Sequence, residues 1–367
     1  MRDALLAYLT EKSHQVDQCV QNHAKEITAL PCLDQGAYAY VKRGGKRLRP
    51  AVLSLCAGLL GGDKNEKAAL PAAAGIELFH TWTLIHDDII DHDDLRRGGP
   101  SVHAQARQNI KSKMPHLSLD TAAEYGIDVA ILAGDLLHAR AISLFTKLPK
   151  YGVSPLVTTI LIDLLETRYL GRLLDGEMED TALGLLFDCS EASLSAVKEE
   201  TVLQVMAGKT SALFAYCAMA GGMIGLDSAE TEHPQILALA DFAENCGLAF
   251  QLQDDILGIV GNVKTLGKPI GSDIREGKKS ILLVHAYQNA TREERRFLSS
   301  VCGNRNAADT DVEKAANILI ARKGIQYTSA LAKACLEKAL HSADILPDNL
   351  YKDLLMSWAD MMISRNF

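Results

Sequence analysis

Apolar residues recur every three or four positions through almost every segment of this 367-residue chain, and no segment alternates apolar and polar residues over a sustained stretch. This spacing matches one face of an α-helix, whereas strict alternation would indicate a β-strand. Apolar residues make up 48% of the chain, and no Pro/Gly/Ser-rich linker divides it. The sequence therefore predicts an all-α fold in a single domain over residues 1–367.

One polar stretch interrupts the helical pattern. Residues 104–121 are rich in charged and amide side chains, include Pro115, and lie between two strongly periodic segments. We expect an inserted loop there, with or without a short helix.

The overall charge, the cysteines and the longest apolar stretch indicate the partners and the cellular compartment of such a chain. A net charge of -8 and a pI near 5.8 argue against nucleic acid or an anionic membrane as the main partner. Eight scattered cysteines without a CxxC motif predict reduced thiols and a cytoplasmic protein, and no signal peptide pattern is present. Residues 212–226 are very apolar but only 15 residues long, so we expect a buried helix and no integral membrane segment.

Two clusters of acidic residues each follow a long apolar stretch. The first contains Asp87, Asp88 and Asp91, and the second contains Asp254 and Asp255. On a helix, Asp87 and Asp91 lie one turn apart on the same face, where like charges repel unless a cation lies between them. Carboxylate ligands without Cys or interleaved His favour magnesium over zinc. The two clusters therefore predict Mg²⁺ sites.

A solvated, acidic helix end is the ordinary alternative for the first cluster. Residues 72–85 are almost entirely apolar or small, so this helix is expected to be buried, with compensating charge at its acidic end. Arg96 and Arg97 follow Asp87 by nine and ten residues, and guanidinium groups bind phosphate well. This arrangement favours a site for metal-bound phosphate.

Further basic residues lie at predicted helix starts. Lys46 and Arg49 point from one face at the start of a helix, where backbone N–H groups also favour an anion. Lys209 and Thr210 precede a very apolar helix in a similar way. Alone, the first pair is equally well explained by a basic surface turn, and the second pair is better explained by a helix cap. Together with the acidic clusters and the long apolar helices, they predict a site for a diphosphate with an apolar tail.

Six motifs follow one another along the chain: GGKRLRP (44–50), HDDIIDHDDLRRGGPSVH (86–103), ILAGDLL (131–137), GKT (208–210), FQLQDDILG (250–258) and LGKPIGSDIREGKKS (266–280). With these motifs in this order, the chain closely resembles the trans-polyprenyl diphosphate synthases over nearly its whole length. The resemblance implies an isoprenoid synthase fold of about a dozen helices around a deep central cavity, usually in a homodimer. It also implies the condensation of isopentenyl diphosphate with an allylic prenyl diphosphate, which ionises with the help of magnesium.

The resemblance also implies roles for individual residues. Three Mg²⁺ ions would be held by Asp87, Asp91 and Asp254, with support from Asp88 and Asp255. The allylic diphosphate would be contacted by Arg96, Lys209, Thr210, Gln251, Lys268 and Lys278. The isopentenyl diphosphate would be bound by Gly45, Lys46, Arg49, His80 and Arg97.

Product length is expected to depend on the helix that precedes the first cluster. Trp82 lies five residues before Asp87, about 7.5 Å down the helix, and Phe79 lies three residues further back. A large ring there should close the pocket for the growing chain, because long-chain members of the family tend to have a small residue at this position. We therefore predict a C15 to C20 product, with C20 preferred because Thr83 is small. Ordinary core packing of Trp82 is the alternative.

Two residues depart from the family's pattern. Gly258 stands where many members have a third Asp in the second cluster, and Arg172 stands where the family usually has Gln. Asp254 and Asp255 remain, so we expect activity to be retained.

Three other functions are compatible with parts of this pattern. A class I terpene cyclase also ionises a prenyl diphosphate, but a complete isopentenyl diphosphate site would have no purpose there. A non-catalytic regulatory subunit of a prenyl synthase would usually lack one of the aspartate motifs, and this chain has the leading pair of both. A metal-dependent phosphohydrolase is weaker still, because metal-binding His residues are missing.

Overall fold

The computed structural model describes residues 1–26, 31–186, 189–260 and 271–364. These residues form nineteen α-helices and one small two-stranded sheet, which confirms the predicted all-α fold. The separate helices outnumber the expected dozen because short turns and π-turns divide several of the longer ones.

The chain is divided into two compact units. Unit 1 comprises Met1–Asp163, Cys217–Ile236 and Pro347–Leu355, and unit 2 comprises Leu164–Tyr216, Leu237–Leu346 and Met356–Phe367. The single domain over 1–367 remains a prediction.

Unit 1 contains the first seven helices and nearly all of the eighth. They are α1 (Arg2–Glu26), α2 (Pro31–Ala37), α3 (Ala39–Lys42), α4 (Leu48–Ala68), α5 (Leu70–Ile90), α6 (Val102–Lys113), α7 (Leu119–Phe145) and α8 (Pro155–Leu164). The strands β1 (Leu95–Arg96) and β2 (Gly99–Pro100) pair antiparallel, with Leu95 opposite Pro100. Helices α6 and α7 include most of the polar segment 104–121, which is therefore largely helical.

The other helices lie wholly or partly in unit 2. They are α9 (Leu170–Leu186), α10 (Glu191–Ala196), α11 (Glu199–Met206), α12 (Ala212–Leu226), α13 (Pro234–Val260), α14 (Ser272–Glu276), α15 (Ile281–Gln288), α16 (Arg292–Val301), α17 (Asp309–Ala321), α18 (Gly324–Ser342) and α19 (Leu350–Ser364). Two π-turns, Leu165–Tyr169 and Ala207–Ser211, join α8 to α9 and α11 to α12.

The second π-turn changes the argument about a membrane span. Helix α12 has the 15 residues expected from the sequence, but together with α11 and the π-turn it forms one run of 28 residues, Glu199–Leu226. This run and Leu119–Tyr151 are both long and apolar enough to cross a bilayer. The most apolar stretch of Glu199–Leu226 is 72% buried, however, as in the core helix of a globular protein, whereas that of Leu119–Tyr151 is 44% buried. Length and composition alone therefore identify neither as a membrane span.

Close backbone contact in unit 1 depends on a glycine in the C-terminal part of α12. A Cβ atom added to Gly221 would lie 2.2 Å from the backbone O of Leu53 on α4 and 2.7 Å from the Cβ of Cys56. Neither neighbour is the flexible end of a side chain, so the two helices would have to move apart.

We predict that Gly221→Ala lowers the free energy of unfolding by about 1–3 kcal/mol, because the added methyl group overpacks this contact. The measurement is urea denaturation followed by circular dichroism. Gly184→Ala on α9 is the matched control, since nothing lies within 4 Å of its added Cβ. Alanine is the better helix former, so the control should be neutral or stabilising. Equal stabilities of the two variants would contradict the prediction.

Candidate active site

The first acidic cluster lies at the C-terminal end of α5. Asp87 and Asp88 are in the last turn, and Asp91 caps the helix with its N–H donating to the backbone O of Asp87 at 2.8 Å. The structure thus places Asp87 and Asp91 one turn apart, as predicted. Because this end of a helix carries partial negative charge, carboxylates there are unfavourable without nearby cations.

Arg96 supplies positive charge to this cluster. Its Nε donates to Asp88 Oδ1 at 2.6 Å, and its Nη2 lies 3.4 Å from Asp87 Oδ2 and 3.3 Å from Asp93 Oδ2. The turn between β1 and β2 brings it there, with φ of 50° at Arg97 and 71° at Gly98. Positive φ at both central residues is the type I′ geometry that suits a two-residue hairpin.

Asp88 is fully buried and has a second partner, the hydroxyl of Tyr40, which donates to its Oδ2. The Tyr40 oxygen also accepts from the N–H of Val102 at 3.0 Å. Burial raises the pKa of Asp88, while Arg96 and Tyr40 act to lower it. Sequence reasoning missed Tyr40, because no local pattern links it to a residue 48 positions later.

A second charged group in unit 1 is built around Glu77, which is 1% exposed. Its Oε1 accepts from Arg47 Nη1 at 2.5 Å and lies 3.5 Å from Arg97 Nη2. Arg47 also donates to Asp17 of α1 at 2.8 Å. Burial raises the pKa of Glu77, and the neighbouring arginines oppose this shift. Glu77 was missed, although it is the single acidic residue within 72–85 and thus carried a signal.

The residues expected to bind isopentenyl diphosphate meet at this group, with one exception. An added Cβ on Gly45 would lie 3.1 Å from Arg97 Cζ, so the glycine allows close approach of that guanidinium. Arg49 Nη1 lies 3.1 Å from His80 Nε2, and Arg97 Nη1 donates to the backbone O of Tyr40 at 2.8 Å. Lys46 is exposed, and its predicted role stays a prediction.

Burial and neighbouring arginines determine the charge of His80 and Arg49. Burial first, and then Arg49 and Arg97, hold the pKa of His80 well below 6.5, so its imidazole is neutral and accepts from Arg49. Burial lowers the pKa of Arg49 to about 10, which leaves it protonated at neutral pH. The group around Glu77 is therefore net positive.

The proposed product-length residues form an aromatic cluster below Asp87. The ring of Trp82 lies 5.0 Å from Phe79, 4.8 Å from His138 and 5.7 Å from His86. Trp82 is 9% exposed, and its Nε1 has no hydrogen-bond partner among the residues that the structure describes. Thr83 Oγ1 donates to the backbone O of His80 at 2.8 Å. His138 was not expected from the sequence.

The second acidic cluster lies on α13 in unit 2, within a chain of hydrogen bonds. Thr210 Oγ1 donates to Gln251 Oε1 at 3.1 Å, and Gln251 Nε2 donates to Asp255 Oδ1 at 3.3 Å. Lys278 Nζ donates to the same oxygen at 2.9 Å. Burial lowers the pKa of Lys278, but Asp255 and Asp273 outweigh burial and raise it. The structure therefore brings four predicted residues together, while Asp254 is half-buried on the same helix.

Lys209 lies in the π-turn and contacts α9. Its Nζ donates to Asp180 Oδ2 at 2.9 Å and to Glu177 Oε1 at 3.2 Å, two carboxylates that the sequence analysis did not single out. The lack of a side chain at Gly176 permits this approach, because a Cβ atom added there would lie 2.6 Å from the backbone N of Lys209. π-turns inside helices are frequent at functional sites.

Arg172, which stands where the family usually has Gln, forms an ion pair with Glu244 of α13, and its guanidinium lies 5.9 Å from the ring centroid of Tyr169. Lys268 lies outside the described residues.

Both acidic clusters consist of carboxylates, the ligands that a magnesium ion prefers. No group of three His, Cys, Asp or Glu side chains within the described ranges is placed to hold a metal alone. Magnesium usually binds one or two carboxylates and completes its shell with water and substrate phosphates. Asp255 fits this description, since it is 2% exposed and its Oδ2 lacks a hydrogen-bond partner among the described residues.

We predict that His80 makes the protein less stable in acid. Below its ordinary pKa of 6.5, the unfolded chain binds a proton at His80 that the folded protein does not. The stabilisation by neutral His80 is thus present above this pH and falls by about 1.4 kcal/mol per pH unit below it. His80→Gln keeps an acceptor for Arg49 but does not titrate, so its unfolding free energy should fall less between pH 6.5 and 5. Parallel pH profiles of the two proteins in urea denaturation would contradict this.

Comparisons with known proteins agree with this geometry. The polyprenyl synthetase family model matches residues 31–319. A geranylgeranyl diphosphate synthase from Saccharolobus solfataricus is 35% identical over 345 residues, which cover 94% of this chain and 92% of that protein.

Two solved structures are similar over the whole chain. The geranylgeranyl pyrophosphate synthetase from Pyrococcus horikoshii has a TM-score of 0.82 and 32% identity, with 99% of both chains covered. The geranylgeranyl pyrophosphate synthase from Corynebacterium glutamicum, complexed with isoprenyl diphosphate and magnesium, has a TM-score of 0.80 and 26% identity, with 100% of this chain and 98% of that chain covered. The chain belongs to the polyprenyl synthetase family, which confirms the predicted isoprenoid synthase fold and the trans-prenyltransferase class.

Proposed function

We propose that the protein condenses isopentenyl diphosphate with an allylic prenyl diphosphate, head to tail, and releases geranylgeranyl diphosphate, a C20 product. The observation that carries this proposal is the pair of oppositely charged groups on α5. His80 and Asp87 are seven residues apart, on one helix face and about 10 Å apart along the axis. The group around His80 is net positive and suits a diphosphate directly, whereas the group around Asp87 is net negative and suits a diphosphate with a divalent cation.

Two different diphosphate sites on one helix favour a two-substrate reaction over a terpene cyclase, which binds a single prenyl diphosphate. The group with Gly45, Lys46, Arg49, His80 and Arg97 is assigned to isopentenyl diphosphate. The acidic clusters with Arg96, Lys209, Thr210, Gln251, Lys268 and Lys278 are assigned to the allylic diphosphate. A non-catalytic subunit would have no need for both groups intact.

The proposed mechanism is stabilisation of a leaving group. Asp87, Asp91 and Asp254, supported by Asp88 and Asp255, are proposed to hold three magnesium ions, which would neutralise charge on the departing diphosphate. Arg96, Lys209 and Lys278 add positive charge where the dianion develops in the transition state. The double bond of isopentenyl diphosphate then attacks the allylic cation, and loss of one proton completes the new C–C bond. The released diphosphate is the proposed base.

We further propose a cytoplasmic homodimer. The seven cysteines whose side chains are described are all free thiols, which suits a reducing compartment. The proposal of a dimer rests on the family resemblance.

We predict that purified protein with magnesium and labelled isopentenyl diphosphate elongates C5, C10 and C15 allylic diphosphates to C20, measured by chromatography of the products. Asp87→Asn and Asp254→Ala should each lower kcat at least about a hundredfold, since each removes a proposed metal ligand. Asp94→Asn is the matched control from the same acidic run, because Asp94 is bound to Arg107 at 2.9 Å and to His103. Hydrocarbon release without isopentenyl diphosphate would instead indicate a cyclase, and activation of another synthase without elongation would indicate a regulatory subunit.

We also predict that Trp82→Ala extends the product beyond C20 by one or more C5 units. The rings of Phe79, His86 and His138 surround Trp82, so removal of its indole ring leaves a space between them at the proposed end of the product pocket. Thr81→Ala, a change at the adjacent buried position of α5, is the control and should leave the product length unchanged. If the longest product of Trp82→Ala equals that of the parent protein, Trp82 is ordinary core packing.

A further inference from the structure

Tyr40 of the short helix α3 contacts both charged groups of α5, and it uses a different atom for each. Its buried hydroxyl donates to Asp88 Oδ2 and accepts from the N–H of Val102 at 3.0 Å. Its backbone oxygen accepts from Arg97 Nη1 at 2.8 Å. The hydroxyl therefore belongs to the group around Asp87, and the backbone oxygen belongs to the group around Glu77.

Asp88 is held at both of its carboxylate oxygens. Tyr40 donates to Oδ2, and Arg96 Nε donates to Oδ1 at 2.6 Å. A carboxylate with a donor on each oxygen cannot rotate without the loss of one of these bonds. Asp88 is also 0% exposed, so water does not reach it to replace a lost donor. The Tyr40 hydroxyl therefore fixes the orientation of the carboxylate that Arg96 binds.

The orientation of Arg96 depends in turn on Asp88. Its Nη2 lies 3.4 Å from Asp87 Oδ2 and 3.3 Å from Asp93 Oδ2, which is longer than the usual hydrogen bond. The contacts with Asp88 are shorter than both. A guanidinium is a planar fork that binds a phosphate group well only in a defined orientation. A fixed Asp88 thus sets the plane in which Arg96 can meet a diphosphate.

We propose that Tyr40 is a positioning residue for the allylic diphosphate, which acts through Asp88 on Arg96. This rests on the proposed function, in which Arg96 contacts that diphosphate. Loss of the hydroxyl should weaken binding of the allylic substrate. It should leave isopentenyl diphosphate unaffected, because the contact with Arg97 uses the backbone oxygen, which every side chain retains.

The first test measures binding without catalysis. Geranyl S-thiolodiphosphate, an unreactive allylic analogue, is titrated into the full-length protein with Mg²⁺ and without isopentenyl diphosphate, and binding is followed by calorimetry. Tyr40→Phe keeps the ring and removes the hydroxyl, so the Kd should rise about tenfold, as expected for the loss of one hydrogen bond to a charged group.

A double variant tests whether Tyr40 acts through Arg96. Arg96→Gln alone should raise the Kd, since it removes the guanidinium that contacts the diphosphate. Tyr40→Phe/Arg96→Gln should then have the same Kd as Arg96→Gln, because the orientation of an absent guanidinium has no effect. A general loosening of the fold would instead raise the Kd by the same factor in both backgrounds.

Tyr8→Phe is the matched control. The Tyr8 hydroxyl donates at 2.9 Å to another buried carboxylate of unit 1, Glu66, which pairs with Lys12 at 2.5 Å. The substitution removes the same kind of bond outside both charged groups of α5. It should lower the thermal stability, as Tyr40→Phe does, and leave the Kd unchanged. Thermal unfolding by circular dichroism compares the two variants and verifies that each variant is folded.

The elongation assay supplies a second measurement on the same proteins. In Tyr40→Phe, the KM for the allylic primer should rise, while the KM for isopentenyl diphosphate should stay at the value of the parent protein. An equal rise of both KM values would indicate a structural role for the hydroxyl and overturn the proposal.

Two results of the binding titrations would also overturn it. One is an equal Kd of the parent protein and Tyr40→Phe, and the other is the same fold-change on loss of the hydroxyl with and without Arg96. Failure of the parent protein to bind the analogue and to elongate any allylic primer would contradict the proposed function itself.

Discussion

Negative charge at the end of a buried helix is the constraint on which the first site depends. Asp87, Asp88 and Asp91 stand where the peptide dipoles of α5 already point their negative ends, so each carboxylate needs a cation or a hydrogen-bond donor. Arg96 and the Tyr40 hydroxyl meet this need at Asp88. The local structure around the cluster brings Arg96 and Tyr40 to Asp88.

The β1–β2 hairpin places Arg96 beside the C-terminal end of α5. Arg43 holds the hairpin by donating to the backbone oxygens of Arg96 at 3.1 Å and Pro100 at 2.7 Å. The same turn places Arg97 beside Glu77, so one hairpin supplies an arginine to each of the two charged groups of α5. Arg47 and Glu77 are both almost fully buried, and removal of one partner of such a pair costs about 3–5 kcal/mol. Glu77 thus positions Arg97, one of the two arginines that we assign to isopentenyl diphosphate.

The sequence predicted those features that local spacing determines. The one-turn separation of Asp87 and Asp91 and the existence of α5 follow from periodicity within a single segment. By contrast, the pairing of Tyr40 with Asp88 and of Arg172 with Glu244 joins residues 48 and 72 positions apart, and a single sequence contains no record of such contacts. The π-turn at Ala207–Ser211 was also missed, and its Lys209 packs against Gly176 of α9, another contact between residues far apart in the sequence. Helix α4 continues past Gly62 with a break in its helical geometry, since φ is 71° at this glycine.

The degree of burial distinguishes charge pairs that maintain the fold from those that a substrate can replace. The Arg47–Glu77 pair is 1% and 2% exposed, so neither side chain is accessible to a diphosphate. Lys209 and its partner Asp180 are 26% and 36% exposed, and exposed pairs contribute only about 0–1 kcal/mol. Arg96, at 22% exposure, shares its guanidinium among three carboxylates. In the proposed reaction, a diphosphate with its magnesium would bring both a cation for the carboxylates and an anion for the basic side chain of such a partly exposed pair, so both partners would gain a new partner in one step. Such an exchange would leave Lys209 paired with Asp180 before the substrate binds and still available to it.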